Sequence, residues 1–395
     1  MNEAVITSAV RTPIGNFNGG LASVPATELA AIVMKEAMER SGVTGEQVED
    51  VLIGNILSGG LKQNPARQAS MKAGIPETVT ASAVNMLCGS GLRTVAMGAQ
   101  AIRAGDADIV MAGGTENMSG APYMLLQGRT GYRMGPGTLE DSMIYDGLWC
   151  PFTDAHMGMT AENIAVEFEV SRQDQDAFAA ESQRRAGEAI KHGRFKDETV
   201  GVPVPQRRGD PVWVMADEFP RPSTQADGLA KLRPAFKKDG TVTAGNASGI
   251  NDGAAAAVVM SKSKAEELGV TPMATIRSYA MAGVSPHIMG IGPVEAVRRA
   301  LAKAGLELED IELIELNEAF AAQSLAVIRQ LGLDTEKTNV NGGAIALGHP
   351  IGASGTRILA TLLYEMQRRD LRLGLASLCI GGGMGIAMVV ERESY

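Results

Sequence analysis

Apolar residues recur at helical spacing from Thr27 to Ser41 (TELAAIVMKEAMERS) and stop at Gly42, which predicts an amphipathic helix with a glycine at its C-terminal end. Val51-Leu52-Ile53 then reads as a short buried strand. Helical spacing returns from Gly91 to Ala104, and Asp108-Ile109-Val110-Met111-Ala112 follows as a second strand. Towards the C-terminus, Leu373 to Leu378 is another apolar strand. Alternation of this kind predicts an α/β architecture with largely buried sheets.

The pattern also repeats. Residues Ala37 to Ile53 (AMERSGVTGEQVEDVLI) align with Ala300 to Leu316 (ALAKAGLELEDIELIEL) at a shift of 263, each running from a helix through a glycine to an acidic stretch and a strand. At a shift of 264, Ser90-Gly91-Leu92-Arg93 falls on Ser354-Gly355-Thr356-Arg357. A helix and a strand follow in both copies, the strands being Asp108 to Ala112 and Arg372 to Ala376. A duplicated α/β unit brings equivalent loops together at the interface of its halves, a usual place for a site.

Between Ser119 and Ser248 the alternation breaks down into Gly/Pro-rich stretches such as Gly135-Pro136-Gly137 and Pro203-Val204-Pro205. One clear helix interrupts them, from about Arg172 to His192, with Ser171 as its N-cap. The expected organisation is therefore a first half over 1–118 plus 249–270, an insertion over 119–248, and a second half over 271–395. Within the insertion, Arg221 to Gly240 holds five Lys/Arg against two Asp, in a chain whose formal charge is −9. Composition alone allows either a solvated surface or a patch for an anionic ligand.

The overall balance, 36 basic against 45 acidic residues, argues against a phosphate-tracking nucleic-acid binder. The longest apolar run considered, Ala254 to Met260, is far short of the ~18 residues a membrane span requires. The opening Met1-Asn2-Glu3-Ala4 carries an acid where a signal peptide carries bases, so a cytoplasmic protein is expected. Three cysteines and four histidines, with no CxxC, HExxH or G-x-S-x-G, make a structural zinc or a serine-hydrolase elbow improbable and no metal is expected. A dinucleotide fingerprint is disfavoured as well, because Gly89-Ser90-Gly91-Leu92-Arg93-Thr94 lacks the third glycine and a following acidic residue.

Three glycine-rich clusters remain. Cys88 sits in Asn85-Met86-Leu87-Cys88-Gly89-Ser90-Gly91, ahead of a helix whose free amides and dipole favour a thiolate; an inert buried cysteine is the alternative. His349 stands in Gly348-His349-Pro350-Ile351-Gly352-Ala353-Ser354-Gly355, which the repeat sets opposite the Cys88 loop, as a base is placed. Cys379 opens Cys379-Ile380-Gly381-Gly382-Gly383-Met384-Gly385, whose backbone N–H groups can receive an oxyanion.

These loops, together with Asn317-Glu318-Ala319-Phe320, closely resemble the four active-site loops of the thiolases. Arg11-Thr12-Pro13-Ile14-Gly15 and Gly245-Asn246-Ala247-Ser248-Gly249 also look like thiolase sequence, so the resemblance covers essentially the whole chain. It implies two βαβαβαββ halves stacked in five layers, with the inserted loop domain covering coenzyme A. It implies that Cys88 forms an acyl-enzyme, that His349 takes the Cys88 proton, and that Cys379 removes the α-proton of a second acetyl-CoA. Asn317 would hold a water that shares one oxyanion hole with His349, and the amides of Cys88 and Gly381 would form the other. His156, Met157 and Ser248 would line the pantetheine channel, with Leu148, Ala319 and Phe320 nearby and Arg221 reaching the nucleotide phosphates. Acyl-CoA thioesters are then substrates, no cofactor is needed, and a homo-oligomer, dimer or tetramer, is implied.

Within the family, His156-Met157-Gly158 resembles the biosynthetic short-chain members, whereas Leu148-Trp149-Cys150-Pro151 departs from them and directs attention to Trp149 as a shaper of the acyl or pantetheine channel. The expected reaction joins two acetyl-CoA reversibly into acetoacetyl-CoA and CoA, in fatty acid metabolism. A degradative thiolase for longer chains, and a non-catalytic acyl-CoA binder on the same fold, are the alternatives.

Overall fold

The computed structural model describes residues 2–393. The first half runs β1 (Ala4–Arg11), α1 (Ala26–Ser41), β2 (Asp50–Gly54), α2 (Pro65–Lys72), β3 (Thr80–Val84), α3 (Ser90–Ala104) and β4 (Ile109–Asn117). A long excursion carrying α4 (Met157–Glu167) and α5 (Arg172–Lys191) follows before β5 (Asn251–Ser261) closes the half. The second half repeats the order with β6 (Ala274–Gly283), α6 (Gly292–Ala304), β7 (Leu313–Leu316), α7 (Ala321–Leu331), α8 (Ser354–Arg369), β8 (Leu373–Ile380) and β9 (Met384–Glu391).

The main strands form one sheet in the order β7-β8-β9-β6-β1-β5-β4-β2-β3. The order is a palindrome about the β1/β6 seam, where Val5 pairs antiparallel with Thr275. On each side the half reads outward as first, last, penultimate and second strand. The place of β3 is taken in the second half by a parallel bridge from Thr338 to Ile314.

Burial on both faces explains the apolar run Ala254 to Met260. Ala254, Ala256, Val258 and Met260 pack outward against α1, while Ala257 and Val259 face a central core. That central core is built on α3 and α8, which lie between the two halves of the sheet and touch strands of both. With α1 and α2 outside the first half, and α6 and α7 outside the second, the layers number five. The two middle helices cross closely: a methyl on Gly91 would meet the Thr356 backbone nitrogen and hydroxyl at 2.8 Å.

Local rules account for the helix ends. Gly42 ends α1 in the left-handed conformation with φ +66°, and the Ser171 hydroxyl caps α5 by accepting from the Asp174 N–H. The insertion contains a second helix, α4, beyond the one its sequence pattern predicts. The excursion is pinned to the core by Arg11, fully buried, which reaches Glu198 at 2.5 Å and the Asp217 carboxylate at 2.7 and 2.9 Å. Among the described residues no helix is long and apolar enough to cross a membrane, and no group of three or more metal-ligating side chains gathers.

Candidate active site

Cys88 lies in a short turn between β3 and α3 that is held by its neighbours. The Ser90 hydroxyl accepts from the Met86 N–H at 2.8 Å and donates to the Leu87 carbonyl at 2.7 Å. Leu87 takes the left-handed conformation, φ +46°, with its N–H on the Asn85 side-chain oxygen at 3.0 Å. The sharp turn therefore falls on Leu87, and the glycines serve another purpose. A side chain on Gly89 would run into Ile380, and one on Gly91 into α8, so both permit docking of the second half.

His349 is set by the equivalent loop of that second half. Its N–H donates to the Asn251 side chain at 3.0 Å, and Nδ1 lies 2.5 Å from the Ser354 hydroxyl. The Ser354 proton is committed to the Pro350 carbonyl at 2.9 Å, so the imidazole must donate from Nδ1. Nε2 is left as a bare lone pair without a protein partner. Burial, reinforced by the charge of Arg357, pushes the His349 pKa down to about 3. The ring is thus neutral across the physiological range and free to accept a proton.

At Cys88 the pull of the helix start toward a thiolate is outweighed. Burial pushes its pKa up to about 11, outweighing the Gly381 and Cys88 backbone N–H groups that favour the anion; Glu116 raises it further. Cys379, at the end of β8, is fully buried, and desolvation together with nearby Cys88 raises its pKa well above the ordinary thiol range.

Cys88 and His349 share the wall of a cleft of about 530 Å³. Gly381, Leu148, His156, Met157, Arg221, Ser248, Ala319 and Phe320 line it as well. Asn317 and Cys379 do not reach its wall and are fully buried. Cys379 packs in one apolar cluster with the lining residues Met157, Met289, Ala319 and Phe320. Both polar atoms of the Asn317 amide lack a protein partner. Trp149 is also off the wall: it pairs across a short hairpin with His156 and donates its indole N–H to Asp154 at 2.9 Å. Arg221 is exposed at the cleft, its guanidinium over the Phe219 ring at 5.9 Å and its backbone N–H on Gln183.

Several contributors were not anticipated. The Phe236 ring stacks on His156 at 4.7 Å and meets Phe320 edge-on at 6.3 Å. Gly158 is required beneath it, since any side chain there would enter that ring. The His156 Nδ1 accepts the Gly158 N–H at 3.0 Å, which leaves the ring's N–H on Nε2. The basic stretch Arg221 to Gly240 was the available signal for Phe236, but it marks charge rather than aromatic stacking. Glu318, next to Asn317, is a buried carboxylate accepting from Ser182 at 2.6 Å, Asn339 at 2.9 Å and the Ile345 N–H at 3.2 Å. Arg11-Thr12-Pro13-Ile14-Gly15 is structural in its first residue, whereas the Gly15 carbonyl supports Asn251 and through it His349.

A bare imidazole nitrogen, a protonated thiol, converging backbone N–H groups and a largely apolar cleft suit acyl transfer through a covalent thioester. Residues 4–263 match the thiolase N-terminal domain and residues 270–392 the thiolase C-terminal domain. The chain is 59% identical to the acetyl-CoA acetyltransferase of Chromobacterium violaceum over 99% of its own length and 100% of the relative. It is 59% identical to that of Cupriavidus necator over the full length of both. Among solved structures, the acetyl-CoA acetyltransferase of Bacillus anthracis superposes with a TM-score of 0.97 at 46% identity, covering 99% of each chain. That of Syntrophomonas wolfei gives 0.97 at 44%, covering 100% of each.

Proposed function

The chain belongs to the thiolase family, and from that premise we propose that it is an acetyl-CoA C-acetyltransferase, joining two acetyl-CoA reversibly into acetoacetyl-CoA and CoA. The observation that carries this reading is the bare Nε2 of a neutral His349 on the same cleft wall as Cys88, with the Gly381 N–H turned to the sulfur.

In the first step the Cys88 proton passes to His349 Nε2 as the sulfur attacks the thioester carbonyl. The two pKa values, about 11 and about 3, keep the resting pair neutral, so the proton leaves with the attack and not before it. Charge then builds on the acyl oxygen, where the Cys88 and Gly381 N–H groups receive it; donors of this kind are worth about 3 kcal/mol each. The CoA sulfur departs with the proton of Cys379, leaving acetyl-Cys88, a protonated His349 and a thiolate at Cys379. The Cys379 thiolate so formed takes the α-proton of a second acetyl-CoA, and the enolate oxygen is stabilised by the Nε2–H of His349 together with a water that Asn317 holds. The enolate carbon attacks acetyl-Cys88, the C–S bond breaks, and the Cys88 sulfur regains the proton held by His349 as acetoacetyl-CoA leaves.

Coenzyme A is held by the inserted segment, residues 119–248, between the two halves, 1–118 with 249–270 and 271–395. His156, Met157, Ser248, Leu148, Ala319 and Phe320 take the pantetheine, and Arg221 the nucleotide phosphates. The run of exposed Tyr123, Leu125, Leu126, Met134 and Leu139 supports a homo-oligomer, dimer or tetramer, since monomers rarely leave such apolar surface uncovered. The same reading has the protein in the cytoplasm, in fatty acid metabolism. Light scattering on the purified protein tests the assembly. Intact-protein mass spectrometry after brief exposure to acetyl-CoA tests the chemistry: an acetyl adduct forms on wild type and is lost in Cys88→Ala. An adduct that survives in Cys88→Ala refutes the assignment of the nucleophile. Faster turnover of a longer 3-ketoacyl-CoA than of acetoacetyl-CoA refutes the short-chain assignment.

A further inference from the structure

Glu116 is the penultimate residue of β4, fully buried, and the one charged residue of that strand. Its carboxylate collects four N–H donors. One oxygen accepts from the Asn55 side chain at 2.9 Å and the Leu57 backbone at 3.0 Å. The other accepts from the Ile56 backbone at 3.2 Å and from the Gly352 backbone at 3.0 Å. Three of these donors belong to the loop after β2, in the first half. The fourth lies in the turn that follows His349, in the second half.

The joint is close-fitted. A methyl on Gly352 would lie 2.6 Å from the Thr115 carbonyl, 2.9 Å from that of Gly54 and 3.0 Å from the Glu116 carboxylate. On the cleft side, Ile351 packs with Ile56, Leu57 and Met118 in the cluster that also holds Cys88 and Leu148. A single buried charge therefore joins the loop behind the nucleophile to the turn carrying the base. A neutral amide offers one acceptor oxygen where four donors converge, and its own N–H would face the others.

We propose that Glu116 is a positioning residue of the acyl transfer: its carboxylate clamps the His349 turn of the second half against the Cys88 wall of the first. This rests on the reading of Cys88 and His349 given above, and it adds a group that touches neither substrate nor reacting atom. The groups that face Glu116 are Asp252 on the adjacent β5, Cys88 ahead of α3, and the His349 turn. Burial and Asp252 raise the Glu116 pKa to about 7 against the pull of its N–H donors. Its charge in turn raises that of Cys88.

Two consequences of opposite sign follow in Glu116→Gln. With the clamp loosened, kcat for acetoacetyl-CoA thiolysis falls by on the order of a hundredfold while KM stays within about twofold, the signature of lost positioning. With the negative charge gone, the pH midpoint for alkylation of Cys88 by iodoacetamide moves downward. A merely structural carboxylate would lower thermal stability and leave the kcat-to-KM split unmoved. The wild-type enzyme supplies a second arm that does not depend on the variant folding. Its kcat falls as pH drops through about 7, where Glu116 takes a proton, while His349 at about 3 and Cys88 at about 11 titrate elsewhere. An unchanged kcat in Glu116→Gln, an unmoved alkylation midpoint, or a wild-type profile flat from pH 6 to 8 overturns the proposal. A wild type that takes no acetyl group onto Cys88 would instead overturn the reading of function, and this inference with it.

Discussion

Replacing His349 by Asn tests the electrostatics of the cleft apart from any turnover. In the folded protein burial and Arg357 hold the imidazole at a pKa of about 3, against 6.5 in an unconstrained chain. The folded state therefore refuses a proton that the unfolded state accepts between those values, and stability must fall as pH drops below 6.5. At pH 5 the difference is 1.5 units at about 1.36 kcal/mol each, or roughly 2 kcal/mol lost relative to pH 7.5. For a chain of this length, an unfolding entropy of about 2.1 cal/mol/K per residue converts that loss to roughly 2–3 °C in Tm. Buried carboxylates such as Glu116 and Glu318, whose pKa values are raised, act with the opposite sign over part of the same range. They are common to both proteins and cancel in the comparison. Calorimetry at pH 7.5 and 5.0 on wild type and His349→Asn is the assay, and the wild type should lose about 2–3 °C more than the variant. Parallel losses would refute the claim that a neutral imidazole is enforced in the resting cleft.

Three further outcomes are expected. Cys379→Ser should still form the acetyl adduct on Cys88 by mass spectrometry while steady-state thiolysis falls about 10²–10⁴-fold, because no thiolate is left to carry the α-proton. Gly91→Ala, which drives a methyl toward Thr356 on the opposing central helix, should cost about 1–3 kcal/mol by denaturant unfolding. Arg221→Ala should raise the KM for CoA several-fold with little change in kcat, and the difference should shrink with added salt, as measured by initial rates at two ionic strengths.

Much of the architecture is legible locally. The helices α1, α3 and α5 carry long amphipathic patterns and ordinary end signals, and the duplication shows in short matched segments of both halves. What escapes notice has physical causes. Helix α4 is capped by His156 in place of a Ser, Thr, Asn or Asp, and it buries Thr160 and Glu162 beside small residues, which blurs its period. The strand β4 continues past Ala112 through two glycines that read as a break. They are needed because the Ala255 backbone approaches Gly113 and the Gly352 backbone approaches Gly114 too closely for a side chain. Among the candidate residues, Cys88 and His349 are visible because each sits in a glycine loop ahead of a helix. Glu116 is not, because its donors stand 61 and 236 positions away in the chain and no local pattern announces them. The thiol state of Cys88 escapes a local reading for a related reason: a helix start that favours the thiolate is a local feature, whereas the desolvation that overrides it comes from the whole fold.

That balance bears on how the chemistry is arranged. The duplication sets two equivalent positions against each other: the loop ahead of the central helix, with Cys88 in one half and His349 in the other, and the end of the penultimate strand, with Glu116 in one half and Cys379 in the other. Both central helices begin at the cleft, so two positive dipole ends and the Gly381 amide converge there. The Gly381 amide favours an anion on the resting sulfur, but burial outweighs it and keeps the thiol protonated with its pKa near 11. In the proposed exchange the same donors act once an acyl oxygen begins to carry charge, and that difference between ground state and transition state is what accelerates a reaction. A cleft that ionised Cys88 in advance would offer its donors to the sulfur and hold less in reserve for the oxygen. Glu116, by raising the thiol further while it fixes the base, works in the same direction.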